Sequence, residues 1–600
     1  MNRTLAILLL FWSVLFTACQ SDEPAIDEGG GKTDGKDLGY IAVSIVQPKS
    51  VTGRGALDDG FQNGTDVENE AKEATFFVFN SSGICKSIQT IGLTGSKEES
   101  SINKPYTEKI YNAVLVFDNI TDENKYSGEI FCVLNAISKI KAYGGTNIES
   151  LSKSEFLTKV GDWYSNCQSA GTFIMTNSAY KETKGETTSE VCGTPFIAND
   201  FKQSAKEALD DPKDIYVERV VAKVTTIKSS NWTNNGVQNP LDNKLTLTIR
   251  ITGIEIANIA KTAYLFKNLG AVNTNWPEWS SVTGFYMHDA DNKRCYWEDM
   301  PNGLEFGNQN YSTIINNATA TNKVYPELSD ANYSSNKYIH PNTYRNKGNA
   351  TNSTCVLVTA QLLNKTTTTG DGGTSTDTYT PADLVWIMGG YTDSISAKNI
   401  LCDYLASEQY AVKEVDKDNN ASYIQITNED LKWTQKQDKS ATDIASIQGL
   451  KDYQAVAQVA LKNKNNITRT VLKYNFVTKK EVKKSDNTDY TIYDADAYLV
   501  SNTKFFAEVF KDGLCYYFVN IDHAGVLGAS KENNSYYGVV RNHIYKLELN
   551  SIRGIGTAVF DPDKVIVPVK PPHDNFSYLA ARINVLPWKL VEQTVDFQGN

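Results

Sequence analysis

The residue best placed to do chemistry is Cys19. It follows small Ala18 at the end of a segment with one cation, Arg3, and an apolar run over residues 5–16 broken only by Ser13. A membrane span needs about 20 apolar residues, so this shorter run reads as a secretory leader. A thiol in that position has the pattern of a bacterial lipobox, in which the sulfur takes a diacylglycerol and the leader is removed in front of it. Phe16 stands where the pattern prefers Leu. Gln20, Ser21, Asp22 and Glu23 resemble the acidic tag that sends some lipoproteins to the outer face of the outer membrane. The second such residue is Arg54, between Gly53 and Gly55 in a loop, VTGRGALDDG. No other arginine lies between Arg3 and Arg219, so an arginine-specific protease has one obvious target there. Taken locally, Arg54 is a solubilising side chain in a turn.

The rest of the chain is poor in catalytic patterns. It has no phosphate-binding glycine loop, nucleophile elbow, HExxH or kinase set. The five histidines, at 288, 340, 523, 543 and 573, are scattered without evident partners. Asp416, Asp418 and Asn420 open like a calcium loop, but Ala421 and Thr427 replace the turn glycine and the bidentate glutamate, leaving a solvated turn. Asp494 and Asp496 share one strand face and read as solvated. Eight cysteines beyond Cys19 (85, 132, 167, 192, 295, 355, 402, 515) form no CxxC and sit largely in apolar runs. Core packing is the favoured reading, with room for one or two disulfides. Trp232, Trp276, Trp279 and Trp386 could stack on sugars, although isolated tryptophans are more often core. Asp393-Ser394-Ile395 matches a short O-glycan acceptor pattern. No cofactor or metal is expected, the lipid on Cys19 aside, and the chain reads as no enzyme.

Six hundred residues, 40% apolar and 11% aromatic, suffice for several packed cores. Tyr (32) and Phe (23) are plentiful while Met (5) and His (5) are scarce, which favours strands joined by polar turns. The net charge of −11 comes without a basic stripe, so nucleic acid is not an expected partner. After a Gly-rich tether at 22–36, strands are predicted at 40–46, 74–79, 113–117, 129–134, 172–175 and 215–227. A helix at 152–163 opens on Ser152, three residues before Glu155. Residues 228–243 lose periodicity and mark a boundary. Beyond it, strands are predicted at 244–254, 354–362, 384–388, 472–477, 515–521 and 544–551, helices at 396–406 and 442–461, and a low-complexity loop at 365–378. The last extended candidate, 579–597, stays apolar where a terminus is usually frayed. Pro587 interrupts it, so 588–597 is its best uninterrupted part.

Together these segments carry a resemblance. The leader, the Arg54 loop, GFQNGTDVENEAKEATFFVF (60–79), FCVLNA (131–136), YVERVVAKV (216–224), KTAYLFK (261–267), YIHPNTY (338–344) and residues 541–562 resemble the fimbrillins of the type V pilus system, nearest the minor-fimbrillin major-subunit family. The resemblance implies a mainly β fold of two tandem transthyretin-like β-sandwich domains with a few helical insertions. It implies an organisation of leader (1–19), propeptide (20–54), N-terminal sandwich (55–230), C-terminal sandwich with insertions (231–578) and donor strand (579–600). It further implies outer-membrane delivery through the lipid on Cys19, cleavage between Arg54 and Gly55 by an arginine-specific protease, and polymerisation by donor-strand exchange. Trp588, Leu590, Val591, Val595 and Phe597 are the candidate donor side chains. The partners implied are other copies of the chain, other fimbrial subunits and a host or bacterial receptor. Two other roles stay open: a fimbrial anchor or tip subunit, and a surface glycan-binding lipoprotein.

Overall fold

The computed structural model describes residues 38–50, 64–93, 97–100, 106–141, 151–167, 169–184, 186–268, 295, 298–301, 305–307, 309–315, 320–333, 335–343, 353–435, 456–482, 493–494, 499, 505–521, 523, 538–566, 579–586 and 592–594. The chain is mainly β, as expected.

The first core is built by β1 (Gly39–Ser50), β2 (Glu73–Asn80), β3 (Cys85–Gly92), β4 (Lys97–Ser100), β5 (Tyr106–Phe117), β6 (Gly128–Leu134), β7 (Met175–Asn177) and β8 (Lys213–Arg219). Short helices join them, among them α1 (Asp66–Asn69), α2 (Lys153–Leu157) and α3 (Ala205–Leu209). The ladder runs β3-β2-β6-β7-β8-β1-β5-β4. β8 belongs to both halves of it: Lys213 to Tyr216 pair with β1, and Val217 to Arg219 pair with β7. In β2 the unbroken apolar run Ala74 to Phe79 is buried on both faces. Phe77, Phe79, Phe131 and Phe266 gather around Phe156 of α2 with ring centroids 4.4–6.1 Å apart.

The second core follows immediately, with β9 (Ala222–Thr233), β10 (Asp242–Ala257), β11 (Ser335–Ile339), β12 (Cys355–Thr369) and β13 (Ser375–Pro381). An insertion then builds a third core from β14 (Leu384–Ile387), α4 (Ser394–Ser407), β15 (Tyr410–Val415), β16 (Leu431–Gln435), β17 (Val456–Leu461), β18 (Thr468–Asn475) and β19 (Ala507–Phe510). β20 (Leu514–Asn520) and β21 (Ile544–Ile552) return to the second core, and β22 (Leu579–Leu586) and β23 (Glu592–Thr594) extend it. Its two sheets are β11-β9-β21-β22-β23 and one containing β10-β12-β20, with side chains of both in one apolar cluster. The first strand of each of the first two sandwiches lies parallel to a late one, β1 on β8 and β9 on β21.

Several expectations are corrected. The strand expected at 172–175 lies at Met175–Asn177. The continuous strand expected at 215–227 is broken at fully buried Val220 and Val221, and its halves enter different cores. Residues 228–243 are mostly strand, because Ser229 is buried and Trp232 packs on Tyr333, with the turn made at Gly236 (φ 75°). The helix opening at Ser152 is real, with Ser152 Oγ accepting from Glu155 N at 3.3 Å, but it ends at Leu157 and Val160–Gly161 pairs with Ala263–Tyr264. The loop expected at 365–378 is a Thr-rich hairpin: β-branched residues favour strand, and Gly372 (φ 111°) and Gly373 (φ 80°) supply the turn. In the helix expected at 442–461 the described part, Val456–Leu461, is strand between β16 and β19. It is buried on both faces, which spreads apolar residues at spacings a helix would also show. None of the eight cysteines from 85 to 515 forms a disulfide, and seven of them are buried.

Candidate functional site

β1 alternates cleanly, and the fold uses both of its faces. Ile41, Val43 and Ile45 point into the first core with 0–1% exposure. Ala42 and Ser44, on the opposite face, are buried as well, where α3 lies against β1 and β5. Ser44 Oγ donates to Asn112 Oδ1 at 2.9 Å. One edge is taken by β5 along the whole length, from Gly39 opposite Phe117 to Ser50 opposite Tyr106. The other edge meets β8 in parallel, Val43 to Val46 opposite Lys213 to Tyr216. Tyr40 N donates to Lys202 O at 2.9 Å and Lys202 N donates back to Tyr40 O at 2.8 Å. At the start of the strand a Cβ on Gly39 would meet Ile120 at 2.9–3.1 Å, so glycine permits the approach. Withdrawing β1 would leave a gap flanked by the buried side chains of its neighbours, Tyr111, Ala113, Leu115 and Phe117 of β5 and Ile215 and Val217 of β8, with two unpaired edges.

Cys19, Arg54 and Gly55 lie outside the described residues. The chain is described again from Gly64, and there it is clamped. α1 opens with a reciprocal cap: Glu68 N donates to Thr65 Oγ1 at 3.3 Å and Thr65 N donates to Glu68 Oε2 at 2.7 Å. The Glu68 carboxylate, 1% exposed, also receives Lys223 Nζ at 2.8 Å and the Tyr338 hydroxyl. Burial pushes this carboxyl up, but the hydrogen bonds from Lys223 and Tyr338 outweigh it and hold it below the usual range. Arg219 Nε donates to Glu68 O at 3.0 Å, Nη1 to Asn542 Oδ1 at 3.1 Å, and Nη2 to Asn69 Oδ1. α1 is thereby fastened to the seam between the first and second cores.

Two more buried contacts close that seam. Arg541, with no exposure, makes a forked pair with Glu298: Nη2 to Oε2 at 2.6 Å and Nε to both oxygens at 2.9–3.0 Å. Its Nη1 donates to Leu265 O and its Nη2 to Tyr264 O, both at 2.8 Å. Lys267 Nζ lies 3.0 Å from Glu218 Oε1, whose carboxyl burial raises despite Lys267 and Arg541. His340 bridges the same seam as a neutral ring. Nε2 accepts from Trp163 N at 2.8 Å and Tyr164 N at 3.2 Å, which leaves Nδ1 to donate to Ala260 O at 2.8 Å. Sequence reasoning met most of these residues only inside the segments of resemblance and gave them no role, and it gave His340 no partner. His523 and His543 are likewise buried, and His523 Nδ1 meets the Tyr545 hydroxyl at 2.8 Å.

The candidate donor end is placed differently. β22 pairs antiparallel with β21, Leu586 opposite Ile544 to Leu579 opposite Ile552, and β23 folds back on it, Glu592 to Thr594 opposite Asn584 to Arg582. They form the outer margin of their sheet. Trp588, Leu590, Val591, Val595 and Phe597 lie outside the described residues.

Residues 508–594 match the family model described as major fimbrial subunit protein type IV, fimbrillin, C-terminal. That region is similar to the C-terminal part of fimbrillins. The fimbrillin match runs from β19 to β23 and so takes in the margin just described. No curated protein matches the chain. Among solved structures, a fimbrial assembly protein from Parabacteroides distasonis aligns at 11% identity over 58% of this chain and 87% of its own, with a TM-score of 0.24. The fimbrial anchor protein Mfa2 from Porphyromonas gingivalis aligns at 8% identity over 92% of this chain and 99% of its own, with a TM-score of 0.19.

The remaining sequence candidates that are described hold places in turns, caps and strands of the fold. Asp416 Oδ1 accepts from the backbone of Asp418 and Asn420 at 2.8–2.9 Å, making a tight turn, and no metal-binding group occurs among the described residues. Asp393 caps α4, accepting from Ile395 N and Ser396 N at 2.9 Å, and Ser394 Oγ accepts from Trp433 Nε1 at 3.0 Å. Trp232 lies on the second core and Trp386 within β14, while Trp276 and Trp279 lie outside the described residues. Among the described residues no helix is long and apolar enough to cross a membrane.

Proposed function

We propose that this chain is a structural subunit of a cell-surface fimbrium, exported as a lipoprotein through Cys19, cut between Arg54 and Gly55, and polymerised by donor-strand exchange. One observation carries the reading: the strand just upstream of the Arg54 loop is the sealed, central strand of its sandwich, and the chain downstream is clamped in place at α1. A cut in that loop divides a removable strand from a fixed body. Refilling the gap with a neighbour's strand would bury about three side chains as Ile41, Val43 and Ile45 do now, at roughly 2 kcal/mol each before ordering costs, and would restore the ladder. A joint from the end of one copy to the start of another does not close on itself and gives a filament. Trp588 to Phe597 is the proposed donor. An arginine-specific protease, other subunits and the outer membrane are the proposed partners.

The test is made in the bacterium. Arg54→Ala and deletion of residues 588–600 should each leave exported monomer at the surface and no sheared polymer. Normal fibres from either variant would sink the mechanism, and mass spectrometry of wild-type fibres should find a mature N-terminus at Gly55.

A further inference from the structure

The inserted third core is the part of the chain most given to exposing apolar side chains. Of thirteen large apolar residues that stand exposed among the described ones, six lie between Leu384 and Phe510. Two of the six are neighbours. Phe476 is 45% exposed and Val477 92%, in the turn that joins β18 to a short strand at Lys480–Glu481. Other hairpin turns of the chain follow the usual chemistry: Gly370 to Gly373 between β12 and β13, and Asp416 to Asn420 after β15, hold only polar residues and glycine. An apolar pair at a hairpin tip adds little to the fold, and such exposure marks a surface that meets something.

The tip is firmly built. Asn475 Oδ1 accepts from Val477 N and Thr478 N, both at 2.9 Å, and Lys479 takes the left-handed conformation (φ 55°) that closes the turn. Phe476 sets its ring against Tyr474, edge to face with centroids 5.0 Å apart, and Tyr474 in turn stacks on Tyr423 at 4.1 Å. The charges around the tip are sorted. Glu481 is taken by Lys413 at 3.1 Å and by the Tyr423 hydroxyl, and Glu408 by Lys473 at 3.6 Å. Lys479 and Lys480 are exposed and form no ion pair among the described residues. A chain of net charge −11 thus presents two unpaired cations beside its most exposed apolar residue.

We propose that the tip at 476–480 is a lipid-contact site, which sets Phe476 and Val477 into the headgroup region of an anionic bilayer while Lys479 and Lys480 meet its phosphates. Two side chains are too little area for a stable protein joint, which needs about 800 Å² from each partner. A convex tip offers no cleft to a small molecule. A bilayer surface asks for no matching shape, only apolar depth and negative charge, and the tip supplies the counterpart of each. The contact depends on neither cleavage nor polymerisation.

The experiment uses residues 20–600, which keep every described residue and carry no leader, so no acyl chain takes part. In a Cys192→Ser background, an environment-sensitive fluorophore is placed at Thr478→Cys, with Asp371→Cys in the polar β12–β13 turn as control. Vesicles are of phosphatidylcholine, with or without about 30% phosphatidylglycerol. The tip probe should brighten and shift to the blue at about millimolar anionic lipid, while the control stays unchanged. Phe476→Ser with Val477→Ser should weaken binding about 10- to 100-fold, and Lys479→Gln with Lys480→Gln about 10- to 30-fold. Both pairs should leave the urea midpoint nearly unchanged, because these side chains are exposed. No response of the tip probe to either vesicle overturns the proposal. Equal response to both vesicles overturns the anionic assignment, and an equal response of the control probe places the contact elsewhere and overturns the site. Brightening without vesicles as protein concentration rises would make the tip a contact between copies and overturn the lipid reading.

Discussion

The two ends of the described chain hold their strands in opposite ways. β1 is central, paired on both edges and buried on both faces, whereas β22 and β23 are the margin of a sheet whose other strands pair without them. A central strand is part of the sandwich's own stability, so its loss leaves a defect that must be refilled. A marginal strand is an addition, and its departure costs its own ladder and little else. A subunit that receives at one end and gives at the other needs this asymmetry.

The most direct way to break the comparison is to damage each end in turn. Val43→Asp places a carboxylate where the side chain has no exposure, and should cost more than about 4 kcal/mol, abolishing cooperative unfolding of the first sandwich in a urea titration. Deleting residues 592–600 should change the unfolding midpoint of the second core by less than about 1 kcal/mol equivalent. Equal effects would mean that the two ends are held alike. The next effect tests whether the ends are mechanically joined. Glu298→Gln leaves the Arg541 guanidinium buried without its counter-charge, and should cost about 3–5 kcal/mol and split one unfolding transition into two as the seam loosens.

Acid should loosen the same seam. Burial lowers the His340 pKa to about 4, against the pull of Ala260 O and Asp162 in the other direction. Between about pH 6.5 and 4 the unfolded chain therefore binds more protons than the folded one. Stability is full above pH 6.5 and falls as the pH drops toward 4, by about 3 kcal/mol from this group alone. A pH series of denaturation midpoints, compared with His340→Gln, isolates that contribution, since the variant should lose this part of the slope while keeping what other carboxylates contribute.

Much of the β scaffold was legible because it rests on local pattern. The alternation of β1 and the apolar run of β2 are each settled within a dozen residues, and so is the Asp393 cap that starts α4. The seam was not legible. Lys223 meets Glu68 across 155 residues, Arg541 meets Glu298 across 243 and Arg219 meets Asn542 across 323, so no window of sequence shows that these groups satisfy one another. The Thr-rich hairpin β12–β13 was lost for another reason: its side chains are exposed, so it lacks the apolar alternation that announces a strand, and only its β-branched composition and paired glycines favour one. Of the proposed site, the surroundings of β1 fall on described residues. The lipid, cleavage and donor residues fall on segments outside the described ones.

The smallest expected effect sharpens the comparison by testing a region that belongs to neither end. The inserted third core sits between β13 and β20, and α4 closes it with Ala397, Leu401 and Leu405 buried. Asp393 starts that helix by satisfying two otherwise free backbone donors and by accepting from Ser396 Oγ at 2.6 Å, contacts that hold its carboxyl below the usual range. Asp393→Ala should destabilise α4 by about 1 kcal/mol. Hydrogen exchange of amides in α4 and β15 should quicken accordingly, while exchange in β1 and β22 stays as in the wild type. If the strands at either end quickened too, the insertion would be coupled to the joint, and the asymmetry between the ends would have to be understood as a property of the whole chain instead of the two sheets that carry them.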